Sequence, residues 1–230
     1  MTKEMEFRIS VTGDLGSGKS TVCKILAERM KAEIVSIGVI NRKMAMEMNM
    51  DAVEFNKFIV GKPEFDKIFD DYQRAYEDKE GSYIVDSRLG FHFVPSTYSF
   101  YLKVDINEAA KRIMSAQRCS DCYSCLEEAV TKINERRQAE QIRYSQCYNV
   151  DILDMDNNDC VKDTTNLTPD QVAEEMIKKY VQYKTEAKLT MHWAEKIARE
   201  LFERNPNKEE YVCAAGISPS GSVHIGTLEI

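Results

Sequence analysis

The chain has 230 residues, 43% of them hydrophobic, which is room for one medium folded core with an appendage. Its 31 Lys and Arg against 38 Asp and Glu leave a net charge of −7. That balance excludes broad electrostatic attraction to nucleic acid or to an anionic membrane, so any basic surface is local. Residues 1–6 are polar and lead into Phe7-Arg8-Ile9-Ser10-Val11 without the apolar run of a signal peptide or a membrane span, so a cytoplasmic protein is expected. The seven cysteines are an odd number set largely in or beside helical patterns, and they are expected to be reduced.

A first strand is read over Phe7 to Thr12, followed at once by Gly13-Asp14-Leu15-Gly16-Ser17-Gly18-Lys19-Ser20-Thr21. Placed between a strand and a helix, G-x-x-x-x-G-K-S is a phosphate-binding loop. Its glycines let successive backbone N–H groups turn inward on phosphate oxygens at the positive end of a helix. Lys19 would bridge the transferred phosphate and Ser20 would place its hydroxyl on Mg²⁺. The loop alone indicates a nucleoside triphosphate, and no Asn-Lys-x-Asp base-reading motif accompanies it to mark a GTPase.

In the helix over residues 20–31, Val22, Ile25, Leu26 and Met30 share one face and are expected to pack on a sheet. Glu33 to Ser36 is a second strand. Residues 39–79 are charged and helical in pattern, with Asp51 and Glu54 as a capping box and Pro63 interrupting the pattern. Ser82 to Asp86 reads as a buried strand ending at Ser87-Arg88, and Tyr98 to Val104 as another, followed by a helix over residues 107–115. After a cysteine-containing segment, a long helix runs from about Leu126 to Tyr144. Cys160 to Thr164 is a last strand before a helix from Pro169 to Tyr183. Strands alternating with helices predict an α/β fold with a largely parallel, doubly wound sheet. Residues 184–188 form a polar bridge, so the chain is divided into a P-loop domain over 1–185, a linker over 186–190 and a fragment over 191–230. That fragment is read as a helix to about Arg204, a turn at 205–207 and a strand over 211–214, too short to bury its own core.

The remaining chemistry lies in Arg42, Arg88, Arg112, Arg118, Arg136, Arg137 and Arg143, which together with the short length point to a small-molecule kinase. A single arginine usually only solvates a surface. Arg88, however, follows the carboxyl end of a strand, and Arg136 and Arg143 stand two turns apart on one helix face with Glu140 between them. Cys119-Ser120-Asp121-Cys122-Tyr123-Ser124-Cys125 has the spacing of a metal-binding turn, to which Cys147 or Cys160 could add a fourth thiolate on Zn²⁺. The competing reading is free thiols in a flexible lid. His92 is left unassigned.

Residues 7–183 resemble the cytidylate kinases, particularly the short archaeal type. The resemblance is carried by Ile9 through Ser20, Ser36-Ile37-Gly38 with Arg42, Glu54-Phe55-Asn56-Lys57, Val85-Asp86-Ser87-Arg88-Leu89, Arg136 with Glu140, Arg143 and Tyr144, and Asp163 through Pro169. It implies transfer of the γ-phosphate of ATP to CMP or dCMP, with Lys19, Arg136 and Arg143 catalytic. Gly13 to Thr21 would hold ATP, with Arg112 and Arg118 in a lid that closes over it. Ser36, Gly38, Arg42, Asp86, Arg88 and Glu140 would line the monophosphate site, Glu140 and Arg88 selecting cytosine. Val39 and Asn41 stand where that family has an acidic and an aromatic residue.

Residues 191–230 resemble the N-terminus of class I lysyl-tRNA synthetases, in Met191-His192-Trp193-Ala194, Glu209-Glu210-Tyr211-Val212, and Ile217 through Gly221 leading to His224-Ile225-Gly226-Thr227. With the rest of such an enzyme missing after Ile230, the chain is expected not to aminoacylate. It reads either as the first part of a kinase–synthetase fusion or as a kinase with a docked relic, and His224 is not assigned a catalytic role. The alternatives to a cytidylate kinase are a non-catalytic nucleotide-sensing module attached to a synthetase and a P-loop kinase for another small acceptor. Nucleotides are the expected partners, without membrane or direct nucleic-acid binding.

Overall fold

The computed structural model describes residues 6–50, 54–55, 58–59, 61–115, 123 and 125–204, with side chains as far as 187. The order of elements is β1 (Arg8–Gly13), α1 (Lys19–Met30), β2 (Glu33–Ser36), α2 (Ile37–Glu47), α3 (Pro63–Arg74), β3 (Tyr83–Asp86), α4 (Gly90–Phe93), β4 (Tyr98–Lys103), α5 (Ile106–Ser115), α6 (Leu126–Tyr148), β5 (Cys160–Asp163) and α7 (Pro169–Arg204). Among the described residues the sheet has five strands in the order β2-β3-β1-β4-β5, every neighbouring pair parallel. The connections leave β1 toward one edge and then cross to the other, so β1 sits where the winding reverses. Ligands of open α/β sheets bind outside the carboxyl ends of the strands at that point.

The period-two alternation of the strands divides the core between the two faces of the sheet. Ile84 joins Phe7, Ile9, Val11, Phe100 and Leu102 on one face, against Val22 and Leu26 of α1 and Val172, Met176 and Tyr180 of α7. Its neighbours Tyr83 and Val85 point the other way, to Val35, Leu89, Phe93 and Ile152. Each fully buried side chain of this size contributes on the order of 1.5–3 kcal/mol. Tyr180 also fastens the start of the sheet: its hydroxyl donates to Glu6 O at 2.8 Å and accepts from Arg8 N–H at 3.0 Å. Two smaller clusters stand beside the sheet. Ala45, Phe55, Ile59 and Phe69 join α2 to α3, and Ala109, Ala110, Ala129 and Ile133 join α5 to α6.

Three expectations are changed. Pro63 begins a helix, because at its first position the missing N–H has no partner to lose. Helix α6 runs four residues past Tyr144, to Tyr148, since both tyrosines pack on the core beneath it, and it stops where Asn149 turns left-handed with φ 53°. The polar bridge is helical and lies within α7, whose bounds also take in the helix expected to start near Met191. Lys184-Thr185-Glu186-Ala187-Lys188 contains no Gly or Pro to end a helix, and Gln182 Nε2 donates to Glu186 at 2.8 Å one turn on.

The compact units of the chain are Met1–Tyr180 and Val181–Ile230. Among the described residues, no helix is long and apolar enough to cross a membrane. The capping box at Asp51, the turn over 205–207 and the strand over 211–214 lie outside the described residues.

Candidate active site

The loop after β1 needs glycine at defined places. Gly13 has φ +148°, and a Cβ there would stand 2.3 Å from Leu102 O on the neighbouring strand. At Gly16, with φ +78°, a Cβ would meet Ala109 Cα at 2.8 Å, because α5 passes directly behind the loop. The turn then enters α1 at Gly18, whose carbonyl accepts from Thr21 N–H and Val22 N–H, both at 3.0 Å. From behind, Thr164 Oγ1 donates to Ser17 O at 3.2 Å, tying the loop to the turn after β5.

In front of the loop lies Asp86, the last residue of β3, 5% exposed and level in register with Ser36 at the end of β2. Parallel pairing therefore brings two strand ends and the start of α1 to one carboxylate. Lys19 Nζ is ion-paired with Asp86 Oδ1, while Ser20 Oγ at 3.3 Å and Ser36 Oγ at 3.1 Å donate to Oδ2. Burial, with the Arg88 guanidinium acting in the same direction, lowers the Lys19 ammonium to about 8. At neutral pH the ammonium therefore remains charged, and the Asp86 carboxylate lies against it. The oxygen donors of Ser20 and Asp86 form a hard, anionic pair that suits Mg²⁺, an ion held by one or two protein oxygens with water and phosphate completing its shell.

A second group of side chains lies beside the loop. Arg88, just beyond Asp86, donates from Nη1 to Gly13 O, and its Nε pairs with Glu140 Oε2 at 3.1 Å. Glu140 Oε1 takes Arg136 Nε, one helical turn earlier, also at 3.1 Å. The 3.6-residue period of α6 thus presents Arg136 and Glu140 together, and the carboxylate bridges two guanidinium groups. Arg143, on the same stripe, is instead paired with Asp66 of α3. Arg42 of α2 folds back over its own helix: a Cβ added at Gly38 would lie 3.6 Å from Arg42 Nη1 and 3.9 Å from Ser36 Oγ.

Of the expected site residues, then, the loop, Lys19, Ser20, Ser36, Asp86, Arg88, Glu140 and Arg136 converge. Asp86 faces the donor loop instead of standing among the acceptor arginines. Arg112 lies on α5, and its guanidinium bonds Thr164 O at 2.9 Å and Thr165 O at 2.8 Å. Arg118, Cys119 and Cys122 lie outside the described residues. Cys125, Cys147 and Cys160 are free thiols, and among the described residues no group of His, Cys, Asp and Glu is arranged to hold a metal ion. His92 packs with Phe93 at 4.9 Å and Tyr148 at 6.1 Å between ring centroids, and burial lowers its pKa.

Sequence reasoning missed the surroundings of Asp14 and the Asp66 partner of Arg143. Asp14 Oδ1 accepts from Tyr101 O–H at 2.7 Å and stands 3.5 Å from Arg137 Nη2, while Oδ2 accepts from Val104 N–H at 3.1 Å. Tyr101 lies on β4 and Val104 just past its end, 87 and 90 residues away, and no spacing in the chain signals such a contact. Arg137 was concealed by its neighbour: adjacent helical residues point about 100° apart, so the seven-residue spacing that selects Arg136 passes it over.

Residues 8–166 match the cytidylate kinase-like family, and residues 191–229 match the class I (K) tRNA synthetases. The chain is similar to the cytidylate kinase of Sulfolobus acidocaldarius, with 35% identity over 170 residues covering 73% of this chain and 90% of that one. It is also similar to the cytidylate kinase of Methanosphaera stadtmanae, with 30% identity covering 76% and 98% respectively. A third relative, the S-adenosylmethionine-dependent nucleotide dehydratase of Lacinutrix mariniflava, is 34% identical over 177 residues. That match takes in 76% of this chain but spans only 36% of the relative's length. Among solved structures, the shikimate kinase of Bacteroides thetaiotaomicron superposes with a TM-score of 0.54 at 13% identity, covering 76% of this chain and 98% of that one, a likeness of fold.

Proposed function

This chain belongs to the cytidylate kinase-like family, and from that premise we propose that it transfers the γ-phosphate of ATP to CMP or dCMP. One observation carries the reading. Arg88 touches both halves of the site, donating to Gly13 O in the phosphate loop and pairing with Glu140 on the helix that carries Arg136. A donor cradle and a cationic acceptor cluster that share a side chain suit the transfer of a phosphoryl group between two phosphate-bearing ligands, where positioning and charge stabilisation supply most of the catalysis.

In this scheme Gly13 to Thr21 cradle the ATP phosphates and Lys19 exchanges its Asp86 partner for the oxygens of the transferred group. Ser20, with Asp86, would hold Mg²⁺, which when bound neutralises charge on the phosphate oxygens. Arg42, Arg136 and Arg143 bind the acceptor phosphate, Arg143 giving up Asp66 to do so. Glu140 accepts from the cytosine amine and Arg88 orients it, with Ser36 and Gly38 forming the near wall. Residues 191–230 are read as the start of a synthetase-like segment carried behind a cytoplasmic kinase.

ADP release measured with CMP, dCMP, UMP and AMP as acceptors tests the proposal. Turnover is expected with the cytidine nucleotides, and Lys19→Ala is expected to lower kcat by about 10²- to 10³-fold, the usual effect of removing one donor to developing charge. Binding of ATP without turnover of any acceptor would exclude the kinase and leave a nucleotide-sensing module. Turnover of UMP or AMP in preference to CMP would exclude the assigned base.

A further inference from the structure

Asp14 has a position that phosphate binding does not require. It is the second residue of the loop, and its carboxylate points away from the cradle toward β4 and α6. Oδ2 and Oδ1 are fixed by Val104 N–H at 3.1 Å and Tyr101 O–H at 2.7 Å, so with 11% of its side chain exposed it is a stationary, largely buried anion. Burial, with the Asp14 carboxylate acting in the same direction, holds the Tyr101 phenol in its protonated, donating form. Among the described residues one cation answers the carboxylate: Arg137 Nη2 stands 3.5 Å from Oδ1, and the buried Arg137 Nε has no hydrogen-bond partner there. Arg137 thus meets the donor loop through its guanidinium head while its backbone belongs to the helix that carries Arg136, Glu140 and Arg143.

We propose that the Asp14–Arg137 pair is the positioning contact through which the donor loop and the acceptor helix α6 sense each other's occupancy. The inference rests on the kinase reading above; it adds Arg137 to it and gives the Asp14 side chain a role apart from the loop backbone that cradles phosphate. Both ends suit the role. Asp14 is immobilised by two hydrogen bonds from β4 and the residue after it, whereas Arg137, its side chain 38% exposed and 3.5 Å from Oδ1, can tighten or release as α6 shifts. Acceptor phosphate bound by Arg136 and Arg143 draws α6 over the site and shortens the Arg137–Asp14 contact. The loop is thereby held in the form that grips ATP. Reciprocity follows, since each ligand must tighten the other by the same factor.

The measurement is the affinity of the full chain for a non-hydrolysable ATP analogue with and without saturating acceptor, taken as the monophosphate that the wild-type chain turns over. Wild type is expected to bind the analogue about fivefold or more tightly when the acceptor is present, the lower end of ordinary coupling between sites. In Arg137→Ala and in Asp14→Asn that ratio should fall to near one. The double variant should be no worse than either single variant, and Arg137→Lys should recover part of the ratio. A purely structural role would lower Tm and weaken the analogue equally in both conditions, which overturns the proposal. An uncoupled wild type, or coupling that survives in Arg137→Ala, overturns it as well while leaving the kinase reading intact. A wild-type chain that turns over no monophosphate removes both, and that result is known before any variant is made.

Discussion

Lys19 and Asp86 are best understood as a pair in which each sets the state of the other. The lysine is largely enclosed by the loop and the strand ends; burial lowers it to about 8, so it stays charged at neutral pH with the carboxylate of Asp86 against it. The charge needed to meet phosphate is therefore kept ready, and ligand oxygens can replace Asp86 without a new cation being buried. Lys19 loses its proton at a pH of about 8, against 10.5 for an ordinary lysine. The unfolded chain then binds more protons than the folded one across that window, so this group's contribution to stability rises as pH rises through it. For activity the sign is opposite. kcat/KM for ATP, which reports the free enzyme, is expected to fall on an alkaline limb beginning no lower than about pH 8, and Lys19→Arg should move that limb out of the measurable range.

At the scale of elements, α6 organises the side proposed to take the acceptor. Its turn spacing places Arg136 and Glu140 together, Tyr144 and Tyr148 seat its far end on the core, and Ile133 anchors its first half against α5. Glu140 joins two guanidinium groups that would otherwise repel one another. Glu140→Gln keeps the shape and removes the charge, so Arg88 and Arg136 should drift apart. The expected result is a rise of about tenfold or more in KM for the acceptor with little change in KM for ATP, because a hydrogen bond to a charged group is worth about 1.5–3 kcal/mol. Initial-rate kinetics with each substrate varied in turn would measure this, and a rise in KM for ATP alone would assign Glu140 to the donor side instead. Most of α6 was legible beforehand: its start at Leu126 and its charged stripe follow from pattern. The reach to Tyr148 was not, since only packing onto the sheet makes the last turn worth keeping.

For the molecule as a whole, stability depends on fastening the sheet at its opening strand. Phe7 and Tyr180 meet edge to face with centroids 4.7 Å apart, and the Tyr180 hydroxyl serves Glu6 O and Arg8 N–H at the same time. Tyr180→Phe removes both hydrogen bonds and leaves partly buried backbone groups unmet, for an expected loss of about 1–3 kcal/mol in a denaturant titration. kcat should stay unchanged, because the phosphate loop lies at the opposite end of β1. A loss of activity that exceeded the loss of stability would show that the two ends of β1 are not independent.

The amino-acid sequence by itself determined the strands and their alternation with helices, the phosphate loop, and the family likeness. Those features reside in short-range pattern: hydrophobic period, glycine placement, and residues a turn or two apart. Only the tertiary structure decided that Asp86 faces Lys19 and Ser20, that Arg88 spans the loop and Glu140, that Arg143 rests on Asp66, and that Asp14 reaches Tyr101 and Arg137. Each of those contacts joins elements distant in the chain, and their partners are set by the order β2-β3-β1-β4-β5 and the register of its parallel strands. Register fixes which strand ends lie level, and an ion pair forms only where the ends of two elements meet. Local sequence specifies the groups that carry charge, while packing of the sheet determines which of them neutralise one another.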